Sequence, residues 1–447
     1  MYKRQGYVLA AAGASVGLGN IWRFPYLAAK YGGGIFLIIY IVLALTFGYT
    51  MIVAETAIGR MTRKSPVGAF KSFGKKKWLS FGGWINAVIP VLIVPYYSVI
   101  GGWVIKYLVE YFRGNAKLLA EDGYFTDFIS NGVSTELCFV AFCAFTLIII
   151  FAGVQNGIER VSKIMMPILI VLSVIIAVYS VTRPGALEGV KYFLVPNVKN
   201  FSWMTVVAAM GQMFYSLSIA MGILITFGSY MKKDTAIEDS TRNVEIFDTG
   251  IAIMAGLMII PAVFAFSGGD PDTLQAGPSL MFITIPKVFQ NMGFGTVIGI
   301  VFFVLVLFAA VTSSIALTES AVSTFEDELG WGRKKATVLV GVIMLALGSL
   351  SSLGYGPLAG IKIIGMQFLD LFDFLTNSVM MPIAALLTSL LVSRVVGIDK
   401  IEEEIIHGES AFRRKKVFVV MIKYLCPVFA IIILLSSVAN ALGWIKM

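Results

Sequence analysis

The feature that most constrains the fold of this chain is a repeated series of apolar runs, each about long enough to cross a bilayer. A helix needs about 20 apolar residues to span the hydrocarbon core, and runs near that length recur along all 447 residues. Hydrophobic residues make up 58% of the chain and charged residues only 14%, too few to cover a soluble protein of this size. The sequence therefore predicts an all-α polytopic membrane protein.

Eleven apolar segments can be distinguished, and each predicts one transmembrane helix. In chain order they are residues 7–25, 35–58, 81–111, 137–153, 165–181, 204–230, 246–266, 297–322, 337–353, 371–393 and 417–438. We expect one transmembrane domain over residues 1–447. In it, segments one to five (1–182) and six to ten (203–395) form inverted copies, and segment eleven (416–442) follows them.

Basic residues are concentrated in alternate loops, which predicts the orientation of the chain. The loop 60–78 carries seven Lys or Arg residues, whereas the loop after segment three carries only Arg113 and Lys117. Because cytoplasmic loops collect basic residues, we expect a multi-pass protein of the plasma (cytoplasmic) membrane with its N-terminus inside and its C-terminus outside. The net charge of +9 is explained in the same way, so the lipid bilayer and not nucleic acid is the predicted partner.

Composition excludes several other kinds of site. His407 is the only histidine, which excludes a zinc or haem site built from histidines and leaves a serine hydrolase without its usual base. The three cysteines, Cys138, Cys143 and Cys426, predict no disulfide framework. The symmetric filter loop that a channel would need is also missing from the sequence.

Two apolar segments contain helix-breaking residues near their middle. Segment one includes "GASVGLGNIWRFPY" (13–26), and segment six, "GQMFYSLSIAMGILITFGSY" (211–230), is interrupted at 216–222. An unpaired backbone group in hydrocarbon costs several kcal/mol, so a break survives only where protein or water covers it. For a single break, glycines that permit close helix packing are an alternative explanation. Paired breaks in corresponding helices of two repeats favour the binding site of a transporter.

The chain resembles the neurotransmitter:sodium symporter family along its whole length. The strings "GLGNIWRFPY" (17–26), "YGGGIF" (31–36), "ETAIGR" (55–60), "SLSIAMG" (216–222) and "VTSSIALTESAVSTFEDE" (311–328) occur in the order found in that family. The length is similar to that of its prokaryotic eleven-helix amino-acid transporters. The resemblance implies a 5+5 inverted repeat with unwound helices one and six, and two sodium sites beside the substrate.

The first sodium site that the resemblance implies is formed by the carbonyl of Ser15 and the side chains of Asn20, Ser216 and Asp248. All of these offer oxygen, the ligand that a hard cation prefers. An aspartate inside a membrane is usually functional, although a buried ion pair or a hydrogen-bonded structural carboxylate is the alternative. Chloride-dependent relatives have a neutral Asn at the position of Asp248, so this residue predicts no chloride requirement. Proton antiport would follow if Asp248 is protonated on the empty return step.

The second sodium site implied by the resemblance uses the carbonyls of Gly13, Val16 and Ala309 and the hydroxyls of Thr312 and Ser313. Hydroxyls in the middle of a helix also bond back to the preceding carbonyls, which is the alternative interpretation of the Thr-Ser pair.

The substrate site is implied by the same resemblance. Its predicted residues are Ala14, Ser15, Leu18, Gly19, Ile93, Tyr97, Tyr215, Ser216, Ser218, Ala220, Met221, Ser313 and Leu317. The amides of Leu18 and Gly19 and the hydroxyl of Tyr97 would meet a carboxylate. Gly17 stands where monoamine carriers have an Asp, which favours an amino acid as substrate. The mostly apolar walls offer no charge and predict a neutral hydrophobic side chain. Ala220, where the family often has Gly, predicts a slightly shallower pocket.

Outer gate residues follow from the resemblance. Arg23 would pair with Asp373 across the entrance, with Asp370 as a competing partner, while Gln212 lies close enough to compete for Arg23. Tyr97 and Tyr215 would form an aromatic lid. The Gly- and Pro-rich outer loop 267–287 is either a re-entrant cap or a flexible linker. Glu55 is interpreted as structural support for the break in segment six.

The inner gate of the family pairs an N-terminal Arg and Trp with the residues that match Asp327 and Tyr230. Only three residues precede Arg4 here, so either Lys3 or Arg4 substitutes or the inner gate is weaker. Glu319 replaces a Gln that is frequent near this gate. It either raises local cation affinity and titrates on release, or is a solvated glutamate on the inner face.

These expectations together predict a sodium-coupled symporter of a neutral hydrophobic amino acid, with two sodium sites and no chloride. The alternative is an amino-acid sensor of the same fold that binds without net transport.

Overall fold

The computed structural model describes residues 4–268, 278–441 and 444, and helices dominate this part of the chain. In chain order they include α1 (Arg4–Ser15), α2 (Phe24–Lys30), α3 (Gly34–Thr62), α4 (Pro66–Lys71), α5 (Lys77–Phe112), α6 (Gly132–Phe151), α7 (Asn156–Val181), α8 (Ala186–Leu194), α9 (Trp203–Ser216), α10 (Ile223–Tyr230), α11 (Ile237–Ser267), α12 (Leu280–Gln290), α13 (Gly295–Leu329), α14 (Arg333–Leu353), α15 (Phe368–Val396), α16 (Ile398–Ile406) and α17 (Lys415–Asn440).

Nine helices in the described part of the chain are long and apolar enough to cross a membrane: α3, α5, α6, α7, α11, α13, α14, α15 and α17. They coincide with nine of the eleven predicted segments. The other two segments each contain two shorter helices. α1 ends at Ser15 and the chain becomes helical again through Gly19–Arg23 into α2, while α9 ends at Ser216 and α10 begins at Ile223. Both interruptions lie where the sequence predicts them.

The second break is held in an unusual backbone conformation by contacts from other helices. Ser218 and Ala220 have positive φ angles of 52° and 58°, which cost about 1–2 kcal/mol for a residue with a Cβ. The buried Glu55 of α3 accepts a hydrogen bond from the Ala220 amide at 2.7 Å. The Ser218 hydroxyl donates to the Ala14 carbonyl at 2.9 Å, so the second break is tied to the first.

Close helix packing fixes α10 against α3. A Cβ on Gly59 would approach the Ile225 carbonyl to 2.0 Å, and one on Gly228 would approach the Thr56 carbonyl to 2.5 Å. Only glycine at these two positions permits the backbones of α3 and α10 to approach so closely, so the two helices pack tightly against each other. Glu55 lies on α3 one turn before Gly59, which places its carboxylate at the break that precedes α10.

Candidate functional site

A buried carboxylate lies where the two broken segments meet α11. Asp248 is fully buried, and its carboxylate accepts hydrogen bonds from Asn20 Nδ2 at 2.8 Å, Ser216 Oγ at 2.7 Å and the Tyr40 hydroxyl at 2.7 Å. The structure thus brings three of the predicted first-sodium residues into direct contact. Tyr40 was missed by the sequence reasoning; its one signal is a hydroxyl-bearing residue in the apolar run "FLIIYIVLAL".

Among the residues that the structure describes, the carboxylate of Asp248 has no partner of opposite charge. Within the described residues no basic side chain forms an ion pair with it, so the buried-ion-pair interpretation lacks a partner. Burial of a carboxylate without a compensating charge is costly, and a bound monovalent cation would remove that cost. Ser15, whose carbonyl is the remaining predicted ligand, ends α1 and lines the central cavity together with Asn20.

A second group of oxygens surrounds the hydroxyl of Ser313 on α13. That hydroxyl lies 3.2, 3.1 and 3.4 Å from the carbonyl oxygens of Gly13, Ala14 and Val16 at the first break. The neighbouring Thr312 lies against the same turn, because a Cβ on Gly13 would be 3.2 Å from the Thr312 Cβ. Several acceptors that converge on one point suit a hard cation such as sodium.

Thr312 also makes hydrogen bonds back to carbonyls of its own helix, which is the alternative to a role as sodium ligand. Its Oγ1 donates to the Phe308 carbonyl at 2.9 Å and to the Ala309 carbonyl at 3.2 Å of its own helix. Ser313 differs, because its hydroxyl crosses to α1 instead of bonding back.

A small cavity separates these two oxygen groups. It is lined by Ala14, Ser15, Gly17, Leu18, Gly19, Asn20, Ile93, Tyr97, Tyr215, Ser218, Met221, Ser313 and Leu317. Two predicted substrate residues, Ser216 and Ala220, are not in this lining. The Ser216 hydroxyl is used by Asp248 and the Ala220 amide by Glu55.

One end of the cavity presents the groups predicted to meet a carboxylate. The Tyr97 hydroxyl accepts a hydrogen bond from the Leu18 amide at 3.3 Å. A Cβ on Gly17 would be 2.6 Å from Ser313 Oγ, and one on Gly19 would be 2.3 Å from the ring of Tyr215. The two glycines therefore leave the backbone of the first break accessible to a small ligand, as the glycines of P-loops and similar anion-binding sites do.

Comparison with known proteins gives a family match over almost the whole length of the chain. The model of the sodium:neurotransmitter symporter family matches residues 1–123 and 126–444. An uncharacterized sodium-dependent transporter, YhdH of Bacillus subtilis (strain 168), is 35% identical over 97% of this chain and 96% of its own. An uncharacterized sodium-dependent transporter of Haemophilus influenzae is 31% identical over 97% of both chains.

The solved structures include a close fold match. The crystal structure of MhsT in complex with L-phenylalanine has a TM-score of 0.87 and 35% identity, and the match covers 97% of this chain and 98% of that one. The chain belongs to the sodium:neurotransmitter symporter family. It is therefore a sodium-dependent transmembrane transporter.

The outer entrance of the symporter is lined by the predicted gate residues, but the predicted ion pair is not formed. Arg23 lies over the ring of Tyr215, 5.2 Å from its centroid. Asp373 instead accepts from Asn377 at 2.6 Å and from Tyr96 at 3.3 Å, and no ion pair joins it to Arg23 in the part of the chain that the structure describes. Both charged residues face one outer cavity.

Two further outer residues differ from expectation. Gln212 donates through Nε2 to the Gly19 carbonyl at 3.1 Å and so supports the first break, while its Oε1 has no hydrogen-bond partner, Arg23 included, in the described residues. Asp370 accepts from the Tyr355 hydroxyl at 3.2 Å. Of the loop 267–287, residues 269–277 lie outside the described residues, and the remainder includes α12.

The inner end of the symporter contains a buried ion pair that the sequence reasoning missed. Glu319 is fully buried, so the interpretation of a solvated glutamate is wrong. Its carboxylate accepts from the Tyr230 hydroxyl at 2.7 Å and forms a two-pronged pair with Arg333 at 3.0 and 2.6 Å. Arg333 also donates to the Ile150 carbonyl at the end of α6. The missed signal is the basic residue that follows α13 in "GWGRKK".

Asp327 has a different partner at the same end. Its carboxylate accepts from the Ser65 amide at 2.5 Å, which fastens the start of α4 to the end of α13. Lys3 lies outside the described residues, and so does the side chain of Arg4.

Proposed function

We propose that this symporter moves a neutral hydrophobic amino acid into the cell together with sodium, and that it does so without chloride. The observation that carries the proposal is the buried carboxylate of Asp248, which has no basic partner and lies against both broken segments. This residue supplies within the chain the negative charge that a bound chloride would otherwise provide.

Two sodium ions fit the oxygen groups of the site. The first would be held by the Ser15 carbonyl, Asn20, Ser216 and Asp248, and it would attract the carboxylate of the substrate. The second would be held among the carbonyls at the first break by Gly13, Val16, Ala309, Thr312 and Ser313, with the neutral Ser313 hydroxyl turned so that its oxygen faces the ion. Each sodium that moves inward through 100 mV contributes about 2.3 kcal/mol per charge.

The lining of the central cavity supports the choice of substrate. No charged side chain is present among its lining residues, and Ile93, Met221 and Leu317 provide apolar walls. A basic or acidic side chain would be buried there without a counter-charge, which is costly. The resemblance to MhsT, whose solved structure contains L-phenylalanine, supports the same class of substrate.

The architecture that we propose has eleven crossing helices. The two broken segments cross as pairs of half-helices, in addition to the nine continuous helices, and helices one to five and six to ten form the inverted repeat. The seven basic residues of loop 60–78 support a cytoplasmic position for that loop and for the N-terminus, in the plasma membrane.

Alternating access would use the two ends of the cavity in turn. Pairing of Arg23 with Asp373 would close the outer entrance once substrate and sodium are bound. Separation of Tyr230 from Glu319 would open the inner end, while Arg333 stays paired with Glu319 and keeps that carboxylate compensated. In this proposal the inner gate is therefore the hydrogen bond between Tyr230 and Glu319.

Uptake into proteoliposomes tests the proposal. We expect uptake of a labelled hydrophobic amino acid to require sodium, to stop when choline replaces it, and to continue when gluconate replaces chloride. A competition panel of unlabelled amino acids identifies the substrate. Uptake that persists in choline would contradict sodium coupling, and uptake lost in gluconate would contradict the role of Asp248.

Counterflow exchange distinguishes a transporter from the alternative, an amino-acid sensor of the same fold. A transporter exchanges external labelled substrate for internal unlabelled substrate, whereas a sensor binds sodium and amino acid without exchange. Sodium-dependent binding without counterflow would favour the sensor.

A further inference from the structure

Two basic loops of the chain meet at the end of α13. The loop before α4 contacts that end through the Ser65 amide and Asp327, at 2.5 Å. Lys71, the last residue of α4, pairs with Glu328 at 2.6 Å. The start of α14, which carries Lys334 and Lys335, follows the same end of α13 after the short turn 330–332.

The surface at this end of α13 carries positive charge that is not neutralised within the chain. We call it the basic face, defined by the exposed lysines Lys64, Lys75, Lys76, Lys77, Lys334 and Lys335. In the described part of the chain, none of these six lysines forms an ion pair.

The carboxylates beside the basic face are all engaged elsewhere. Glu319 and Glu326 pair with Arg333, at 2.6 and 3.7 Å, which leaves neither for the lysines. Asp327 is bound to a backbone amide and Glu328 to Lys71. The excess charge of the basic face is therefore available to an anion from outside the chain.

Exposed aromatic rings border the basic face. Phe81 and Trp84, in the first two turns of α5, are 55% and 40% exposed, and Trp331 is 41% exposed. The Lys71 ammonium lies 5.7 Å from the centre of the Trp84 ring. Tryptophan rings, which have one polar edge, are favoured at the depth of lipid headgroups, the Phe81 ring is wholly apolar, and α5 is long and apolar enough to cross a membrane. The face thus combines ammonium groups with rings that suit the upper part of acyl chains.

We propose that the basic face binds the headgroup of an anionic phospholipid. The lipid phosphate contacts the lysine ammonium groups, and the acyl chains lie along Phe81 and Trp84. A free phosphate would meet the same charges but would leave the aromatic rings without a partner. The proposal concerns lipid retention and stands or falls separately from sodium-coupled uptake.

Native mass spectrometry of the purified full-length chain tests this proposal. Detergent-solubilised protein is titrated with phosphatidylglycerol or with phosphatidylcholine, and the retained lipids are counted. We expect phosphatidylglycerol to be retained in preference, and we expect K75Q/K76Q/K77Q to weaken that retention by on the order of 100-fold. This follows from about fivefold per lysine near an anionic headgroup.

Three controls separate the basic face from charge in general. K117Q/K191Q/K199Q removes three exposed lysines elsewhere and should leave retention unchanged. K75R/K76R/K77R keeps the charge and should preserve retention, and K334Q/K335Q tests the second loop if the first triple variant fails to fold. Glycerol 3-phosphate at equal concentration should not displace the lipid. Equal retention of both lipids, or by wild type and K75Q/K76Q/K77Q, would overturn the proposal, and displacement by glycerol 3-phosphate would assign the face to a free phosphate.

Discussion

At the scale of single residues, the environment of Asp248 decides what the central site can bind. Its carboxylate receives hydrogen bonds from three different segments of the chain, and each donor is itself an oxygen or amide group suited to a cation site. A neutral residue at this position would keep the geometry and lose the charge. The hydroxyl of Tyr40 bonds to Asp248 and lies 3.0 Å from Ser216 Oγ, so it orients both groups.

Asp248→Asn should lower sodium affinity by about 10- to 100-fold, because hydrogen bonds and ligand contacts to a charged group contribute about 1.5–3 kcal/mol. The sodium dependence of amino-acid binding in purified protein measures this change. Asp239→Asn, which changes an acidic residue at the start of the same helix, is the matched control. An unchanged sodium affinity in Asp248→Asn would remove this residue from the site.

Tyr40→Phe should weaken sodium binding by about three- to tenfold while the fold is retained. The substitution deletes one buried hydroxyl and leaves the ring. Tyr40 orients the Asp248 carboxylate without being a predicted sodium ligand, so we expect a loss of about 0.5–1.5 kcal/mol, smaller than that of a direct bond to the charged group. The same sodium titration applies, with Tyr424→Phe on the exposed surface of α17 as control. If Tyr40→Phe and Tyr424→Phe behave alike, Tyr40 has no part in orienting Asp248.

At the scale of elements, the two breaks are supported by neighbouring helices and not by local sequence alone. Glu55 of α3 holds the amide of Ala220, and Gln212 of α9 holds the carbonyl of Gly19. The end of α3 is fixed in turn by Arg60, which is fully buried and pairs with Glu404 of α16 at 2.6 Å. α16 therefore anchors the helix that supports the second break.

Arg60→Ala should destabilise the protein by about 3–5 kcal/mol, because it leaves Glu404 buried without its partner. Thermal unfolding in detergent measures the loss. Lys415→Ala, which removes one partner of the more exposed pair with Glu402, should cost no more than about 1 kcal/mol. Equal effects of the two substitutions would show that the Arg60 pair is not an anchor.

At the scale of the whole molecule, the residues that we propose as outer and inner gates are in different states of contact. Arg23 and Asp373 both face the outer cavity without an ion pair between them in the described residues, while Tyr230 is bonded to Glu319 at the other end. In the proposed alternating-access cycle, this arrangement corresponds to the state that is shut towards the inside. Opening that side requires α10 to separate from α13.

Tyr230→Phe should shift the protein towards the conformation open to the inside, since it removes the hydrogen bond to Glu319. With the native cysteines replaced, a cysteine introduced at the buried Ser323 should react about three- to tenfold faster with a thiol reagent. Tyr424→Phe again serves as control. Reactivity that does not change with Tyr230→Phe would exclude the hydroxyl as part of the inner gate.

Much of this protein could be predicted from its sequence because the governing rules are local. Apolar length predicted nine helices, most of their ends to within about five residues, although α7 and α11 begin nine residues earlier and α13 ends seven residues later than predicted; glycine and serine in the middle of two segments predicted both breaks. Motif resemblance predicted that Asn20, Ser216 and Asp248 share one site and that Ser313 faces the first break; the structure places them in these contacts, and their role as sodium ligands stays a prediction. The types and order of these residues can be read from the sequence alone. The helices that carry them are predictable because a membrane leaves few alternatives to a helix.

The tertiary structure decided which polar groups meet. Tyr40 and Arg333 carry only weak local signals, a hydroxyl in an apolar run and a basic residue after α13, and neither signal names the partner that folding supplies, Asp248 for one and Glu319 for the other. Likewise, the separation of Arg23 from Asp373 depends on how the helices are tilted in this conformation. Long-range contacts of this kind arise from the packing of helices that are far apart in the chain. The sequence by itself therefore determined the helices and their breaks. Only the packed structure decided which partner each charged group meets.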